Sequence, residues 1–325
     1  MADKLYDITA LGELLIDFTP SGKNAQGIPQ FAQNPGDAPA NVLTMASRLG
    51  GSTALIAKVG HDSFGTYLRN VLDENHIDST GVVTDPRVPT TLAFVHLNAN
   101  GDRSFTFYRD PGADMMLAID ELDYSLIDNC RVFHFGSVSM TQDPSRSATF
   151  RAAEYAKERG RLISFDPNYR PLLWYSEQPA REQMLKAVAL CDILKVSEEE
   201  MVLLTGESDL DKASRLLLEM GPALVLVSLG PKGSYHRNHV CTGQMPAYDV
   251  KTIDTTGAGD AFVGAVLWQL RNRSRREIEL MSDKELWSVV DFANAAGSLT
   301  TIKSGAIPAI PTMEQIKACQ NGKGA

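Results

Sequence analysis

The stretch DTTGAGDAFVGA, Asp254–Ala265, sets two glycines, Gly257 and Gly259, and one carboxylate, Asp260, at the start of an apolar helical pattern. Ala258, Ala261, Phe262 and Ala265 fall on one stripe of the predicted helix. A helix start leaves backbone N–H groups without intrahelical acceptors, and those groups carry partial positive charge. Glycine lets such a turn approach an anion closely. The stretch is therefore suited to cradle a phosphate. It lacks the lysine of G-x-x-x-x-G-K-[ST] and it is not G-x-G-x-x-G. Asp260 admits two readings. A carboxylate here repels a bound phosphate, yet it can take the proton of a hydroxyl that attacks phosphorus while the amides stabilise the transferring group. Alternatively, it only caps the helix.

Such a turn needs a frame, and the rest of the chain supplies one. The runs DITALGELLID, ALIAKVG, RVFHFGSVS, LISFDPN, DILKVS and ALVLVSLG read as buried parallel strands. Amphipathic stretches of helical length lie between them. In Pro39–Leu49 the residues Val42, Met45, Ala46 and Leu49 share a stripe, with Pro39 at the helix start and Gly50–Gly51 as the stop. Strands alternating with helices predict a parallel sheet covered on both faces. Two segments break the rhythm. Thr19–Asn34 has no helical pattern, and Thr90–Tyr108 reads as a hairpin, TTLAFVHL and SFTFY around NANGDR. Both are expected to leave the main sheet, either as a small β flap over a site or as surface decoration.

Composition bounds the function. The chain has 325 residues, 43% hydrophobic, and a net charge of −9. An acidic chain of this kind carries no nucleic-acid footprint, and the basic run Arg271–Arg276 reads as a solvated helix end. No apolar run approaches the roughly 20 residues of a membrane helix, and the N-terminal residues read as a first strand rather than a signal peptide. Cys130, Cys191, Cys241 and Cys319 lack C-x-x-C spacing and are expected to be buried thiols of a cytoplasmic protein. His236 and His239 are expected on a hairpin surface, and the Trp174–Tyr175 pair in packing rather than as a stacking platform.

DTTGAGDAF resembles the C-terminal signature of the ribokinase-like (PfkB) carbohydrate kinases. NPGDAPANVLTMASRLGGSTALIAKVGHDSFG, Asn34–Gly65, resembles that family's N-terminal signature. FDPNYRPLLW, ILKVSEEE, VSLGPKG and GAIPAIPT are similar to its fructokinase branch, so the resemblance spans nearly the whole chain. It implies a single ribokinase-like α/β domain over residues 1–325: a central, mostly parallel sheet flanked by helices. A small β-sheet lid would be formed by the inserts at about 19–34 and 90–108.

By that resemblance Asp260 is the general base, and Gly257, Ala258 and Gly259 supply the amides of an anion hole. Asp17, placed after the first strand run, accepts sugar hydroxyls, with Gly36 and Asn41 beside it. Relatives often read Pro-Gly-Gly-Ala-Pro-Ala-Asn where this chain has PGDAPAN, so Asp37 is a departure that adds a sugar contact or faces away. Arg109 and Arg170 match substrate-approaching positions, and two guanidiniums would suit a carboxylate or, equally, the phosphates and hydroxyls of a phosphorylated sugar. Ser228, Gly230 and Gly233 match a turn beside the ATP phosphates and ribose, and Asn294 a residue near adenine. Glu200 of SEEE matches the family's Asn-x-x-Glu glutamate, which helps to hold Mg²⁺ through water, with Ser197 in place of Asn. Asp254 and Thr256, with Thr300, Lys303 and Gly305 and in part through backbone, match a K⁺ site.

The resemblance implies transfer of the ATP γ-phosphoryl group to D-fructose, giving fructose 6-phosphate, by a homodimer joined through its lids. 2-Keto-3-deoxygluconate and ribose are the alternative acceptors; ribose-specific relatives usually carry Gly-Lys where this chain has Asp37-Ala38. A sugar-binding regulator without turnover is a different class, and the retained Gly257, Gly259 and Asp260 argue against it.

Overall fold

The apolar runs pair as expected for a buried parallel sheet. The computed structural model describes residues 5–97 and 103–322. Fourteen strands occur among them: β1 (Tyr6–Leu11), β2 (Leu15–Lys23), β3 (Pro29–Gly36), β4 (Thr53–Gly60), β5 (Ile77–Asp78), β6 (Val82–Asp85), β7 (Leu92–Leu97), β8 (Arg103–Tyr108), β9 (Cys130–Gly136), β10 (Leu162–Asp166), β11 (Ile193–Ser197), β12 (Leu224–Ser228), β13 (Ser234–Arg237) and β14 (Thr242–Met245). Ten build one sheet in the order β14-β13-β12-β11-β10-β9-β1-β4-β5, with β6 also on β4. From β12 to β5 every pairing is parallel, whereas β13 and β14 form an antiparallel edge.

Successive side chains of a strand point to opposite faces, and here both faces are dry. Val132 of β9 joins a cluster that includes helices Ala38–Arg48, Ala258–Leu270 and Asp283–Thr300. Its neighbours Phe133 and Phe135 join a second cluster on the other face, with Phe165 and the helices Ser145–Glu158 and Glu177–Leu190. Each fully buried Phe or Leu contributes about 1.5–3 kcal/mol relative to exposure. Burial on both faces is what makes these strands read as continuous apolar runs.

The second sheet has four strands in the order β3-β2-β7-β8. Its limits differ from the expected inserts. DITALGELLID is not one strand: β1 ends at Leu11 and β2 begins at Leu15, already in the small sheet. The chain changes sheets at Gly12, where an added Cβ would stand 2.6 Å from Pro39 Cγ, so only glycine packs against the helix start there. The first insert therefore runs from Leu15 to Gly36. The hairpin strands are β7 and β8; most of its NANGDR turn lies outside the described residues. No helix among the described residues is long and apolar enough to cross a membrane.

Candidate active site

A cavity of about 550 Å³ lies between the small sheet and the C-terminal ends of the parallel strands, the usual place for a site in an open α/β sheet. Its floor is the opening stretch. Helix Ala258–Leu270 starts at Gly257, whose φ of 78° is left-handed; a Cβ there would sit 2.8 Å from Ala306 Cβ. Glycine alone closes this turn without strain. Gly257 and Gly259 line the cavity. Ala258 does not, and its N–H turns back to Thr255 O at 3.3 Å.

Asp260 is not a cap. The helix start has no side-chain cap, and Asp260 Oδ2 instead accepts from Asn41 Nδ2 at 2.8 Å. The carboxyl is 9% exposed. Burial pushes its pKa up to about 6; the Asn41 hydrogen bond and the Lys195 and Arg170 charges oppose this, and Asp166 adds to it. A carboxylate poised there can accept a proton near neutral pH.

Lys195 is a site residue that the motifs did not reveal. It projects from β11 into the cavity, and a Cβ on Gly259 would lie 3.2 Å from its Nζ. Nζ donates to Asp166 Oδ2 at 2.9 Å. Burial alone would lower the lysine's pKa, but Asp166, Glu200 and Asp260 outweigh it and hold it above its usual value. The cavity floor thus presents a fixed positive charge beside the glycine turn. A lysine inside the apolar run ILKVS was the available signal, because such a charge is buried only when paired.

The wall towards the small sheet carries Asp17, Gly36, Asp37, Asn41 and Arg170. Asp17 is not at the end of a main-sheet strand; it lies in β2, paired with Asn34 of β3. Burial pushes its pKa up to about 7, with the Asp37 charge adding and Arg170 opposing. Asp37 precedes helix Ala38–Arg48, and its Oδ1 accepts from Ala38 N at 2.9 Å. Its φ of 144° is a conformation that favours glycine, the residue often found there in relatives. Such strain costs on the order of 1–3 kcal/mol.

Arg109 stands apart from this group. It is buried behind the cavity, with Nε donating to Asp114 at 2.8 Å, Nη1 to Thr141 at 3.0 Å and Nη2 to Val138 O at 3.1 Å. It does not line the cavity, so the two arginines do not converge.

Asp254 also lines the cavity and ties two loops together. Oδ1 accepts from Thr256 N and Oγ1 at 3.0 and 2.7 Å, and Oδ2 from Gly305 N at 3.0 Å. Thr300 is buried with its hydroxyl on Ala296 O, and Lys303 is exposed. Glu200 closes a capping box with Ser197, and its Oε1 accepts from Tyr169 N at 2.7 Å. No cluster of three or more metal-ligating side chains occurs among the described residues.

The residues expected around a nucleotide lie outside this cavity. Ser228 ends β12, and Gly230 and Gly233 follow it with φ of 57° and 97°. Asn294 is spent on protein groups: it accepts from Ser234 Oγ at 2.9 Å and donates to Pro246 O at 3.2 Å. It clamps β13 to the segment after β14 instead of presenting its amide. His236, expected on a surface, is fully buried in β13, whereas His239 is exposed. Trp174 is buried in packing, and Tyr175 is fully exposed.

The family described as pfkB family carbohydrate kinase matches residues 6–313. Fructokinase-1 of Zea mays is 45% identical over 312 residues, covering 95% of this chain and 96% of that protein. Fructokinase-1 of Oryza sativa subsp. japonica is 44% identical over 319 residues, covering 97% and 98%. A fructokinase of Xylella fastidiosa solved with bound ATP superposes with a TM-score of 0.90 at 29% identity, covering 98% of this chain and 99% of that one. A fructokinase of Vibrio cholerae O395, solved with fructose, ADP and calcium ion, superposes at 0.87 and 33%, covering 96% and 98%. With both signatures meeting in one cavity and a match over nearly its full length, this chain belongs to the pfkB family of carbohydrate kinases.

Proposed function

We propose that the chain transfers the γ-phosphoryl group of ATP to the 6-hydroxyl of D-fructose. One observation carries the reading: Asp260, held by Asn41, shares a cavity with the Gly257 and Gly259 turn and with Asp17 and Arg170. The sugar oxygen forms a bond to phosphorus as the bond to the β–γ bridging oxygen breaks. The departing electron pair goes to ADP and the hydroxyl proton to Asp260. Gly257, Gly259 and Lys195 supply donors and charge for the transferring group. Asp17 and Asn41 orient the sugar, with Gly36 leaving room.

The seclusion of Arg109 favours a neutral ketose over 2-keto-3-deoxygluconate, whose carboxylate the arginine pair would have suited. Ser228, Gly230 and Gly233 are the proposed edge of the ATP site. Mg²⁺, held through water near Glu200, would neutralise triphosphate charge. K⁺ at Asp254, Thr256 and the 300–305 loop would order the glycine turn. In this reading the small sheet acts as a lid that excludes water, two lids join a homodimer, and reduced cysteines suit the cytoplasm.

Coupled measurement of ADP release with fructose, 2-keto-3-deoxygluconate, ribose and adenosine tests the proposal. Fructose is expected to give the highest kcat/KM by at least about tenfold. Preference for the keto acid would replace the substrate, and no sugar-dependent ADP at all would favour a regulator.

A further inference from the structure

The wall of the cavity nearest the small sheet is lined by hydrogen-bond acceptors. Asp17, Asp37 and Asn41 lie on it, and Asp260 is on the adjoining floor. Asn41 spends its amide nitrogen on Asp260 at 2.8 Å, and its Oδ1, on a residue 3% exposed, has no partner among the described residues. Behind Asp37, Glu13 is 1% exposed and its Oε2 likewise has none. Donors are few. Arg109 is consumed by Asp114, Thr141 and Val138, and Lys195 is held by Asp166 at 2.9 Å. Arg170 is the one guanidinium among the lining residues.

A hydroxyl can donate to such a wall; a carboxylate or phosphate ester can only accept. Asp37 is also the residue that departs from the resembling signature, and it sits in a backbone conformation suited to glycine. A side chain held there against local preference points to a role in the site.

We infer that Asp37 is a specificity-determining residue that makes this pocket select neutral polyols and reject sugar acids and sugar phosphates. The inference rests on the reading of the cavity as a sugar site. Like charges buried together are strongly unfavourable, and rejection by an opposed group is an effective route to specificity. The two carboxylates already sense one another: burial, and then the Asp37 charge, raises the pKa of Asp17 to about 7. An anionic ligand against this wall would add a further negative charge beside Asp17 and Asp37, opposed there by Arg170, while the Lys195 charge lies on the floor and is paired with Asp166.

Calorimetric titration of the full chain with D-fructose and with 2-keto-3-deoxygluconate, at about pH 8 where free carboxyls are ionised, tests this in wild type, Asp37→Asn and Asp37→Gly. Asp37→Asn keeps the shape and removes the charge. Asp37→Gly removes both and suits the backbone. Wild type is expected to prefer fructose by at least about tenfold, and both variants to narrow that ratio by at least about fivefold. A smaller narrowing in either variant, or a change confined to Asp37→Gly, overturns the assignment of charge as the selector. Binding is read without turnover, so a wild type that binds fructose selectively yet forms no ADP would sink the kinase reading and leave this one standing.

Discussion

Asp260 carries a charge that its surroundings disfavour. It is 9% exposed, and burial lifts its pKa from 3.8 to about 6. The folded state therefore holds the proton more tightly than the unfolded chain does. Stability associated with the protonated carboxyl is present at low pH and is lost as pH rises from the unfolded value through the folded one. Above that window the ionised group costs about 3 kcal/mol, because each tenfold change in proton affinity is worth about 1.36 kcal/mol. In the proposed reaction the same charge accepts the proton, so function and stability would oppose one another here. Asp260→Asn keeps an acceptor for Asn41 and removes the charge. It is expected to lower kcat by about 10²–10⁴-fold and to raise Tm near neutral pH, with the gain vanishing near about pH 4. Scanning calorimetry at both pH values and the ADP assay check this. A lower Tm for the variant at neutral pH, or turnover above about a tenth of wild type, would count against the role. In the wild type kcat/KM is expected to fall as pH drops below about 6, as the base becomes protonated.

At the scale of elements, the site depends on two loops that brace each other. Asp254 bonds to Thr256 in one and to Gly305 in the other, and Gly257 abuts Ala306. In Gly257→Ala the new Cβ would meet Ala306 at 2.8 Å, on a residue with φ of 78°. The turn must shift, and its amides move off their target. We expect kcat to fall by about 10²-fold or more while fructose affinity changes by less than about threefold, because Asp17 and Asn41 belong to other elements. Equal losses in kcat and affinity, seen by pairing calorimetry with kinetics, would contradict this division of labour. How much was legible follows the same physics. ALIAKVG, LISFDPN and ALVLVSLG were readable because strands buried on both faces are mostly apolar. The break between β1 and β2 was not, since Leu14, Leu15 and Ile16 continue the apolar run into the other sheet. The signatures located Asp260 and Asn41 but not the bond between them, which spans 219 positions. Arg109 and Asn294 were readable as polar residues near the site, but only tertiary partners reveal that their hydrogen bonds are spent inside the protein. His236 was missed because a short polar turn follows it, while its own side chain points into the core.

At the scale of the whole molecule, the small sheet leaves part of an apolar face open beyond Phe18, which packs edge-on against Phe64 at 5.8 Å. In the small sheet, Phe105 and Phe107 turn towards the cavity, so alternation sends Tyr108 to the opposite face. There Phe94 stacks on Phe18 at 4.8 Å and meets Phe31 and Tyr108 edge-on at 5.7 and 5.6 Å. Phe31 is 39% and Tyr108 64% exposed, with Ile28 nearby in sequence at 58%. A four-stranded sheet with one face over a wet cavity needs apolar cover on the other to hold its shape. A second copy offers the same aromatic face, and a twofold pairing would bury both at once. The proposed dimer would thereby steady each lid above its own cavity. We expect the chain to sediment as a dimer at about 10 μM, within the range of an interface of ordinary size. Replacing Phe31 and Tyr108 together by Asp is expected to give a monomer of about 35.4 kDa. Because Asp17 rides on the same sheet in β2, that monomer should bind fructose at least about fivefold more weakly, with Asp260 and the glycine turn untouched. A wild type that sediments as a monomer would refute the pairing, and a monomeric variant with unchanged affinity would show that the lid needs no partner.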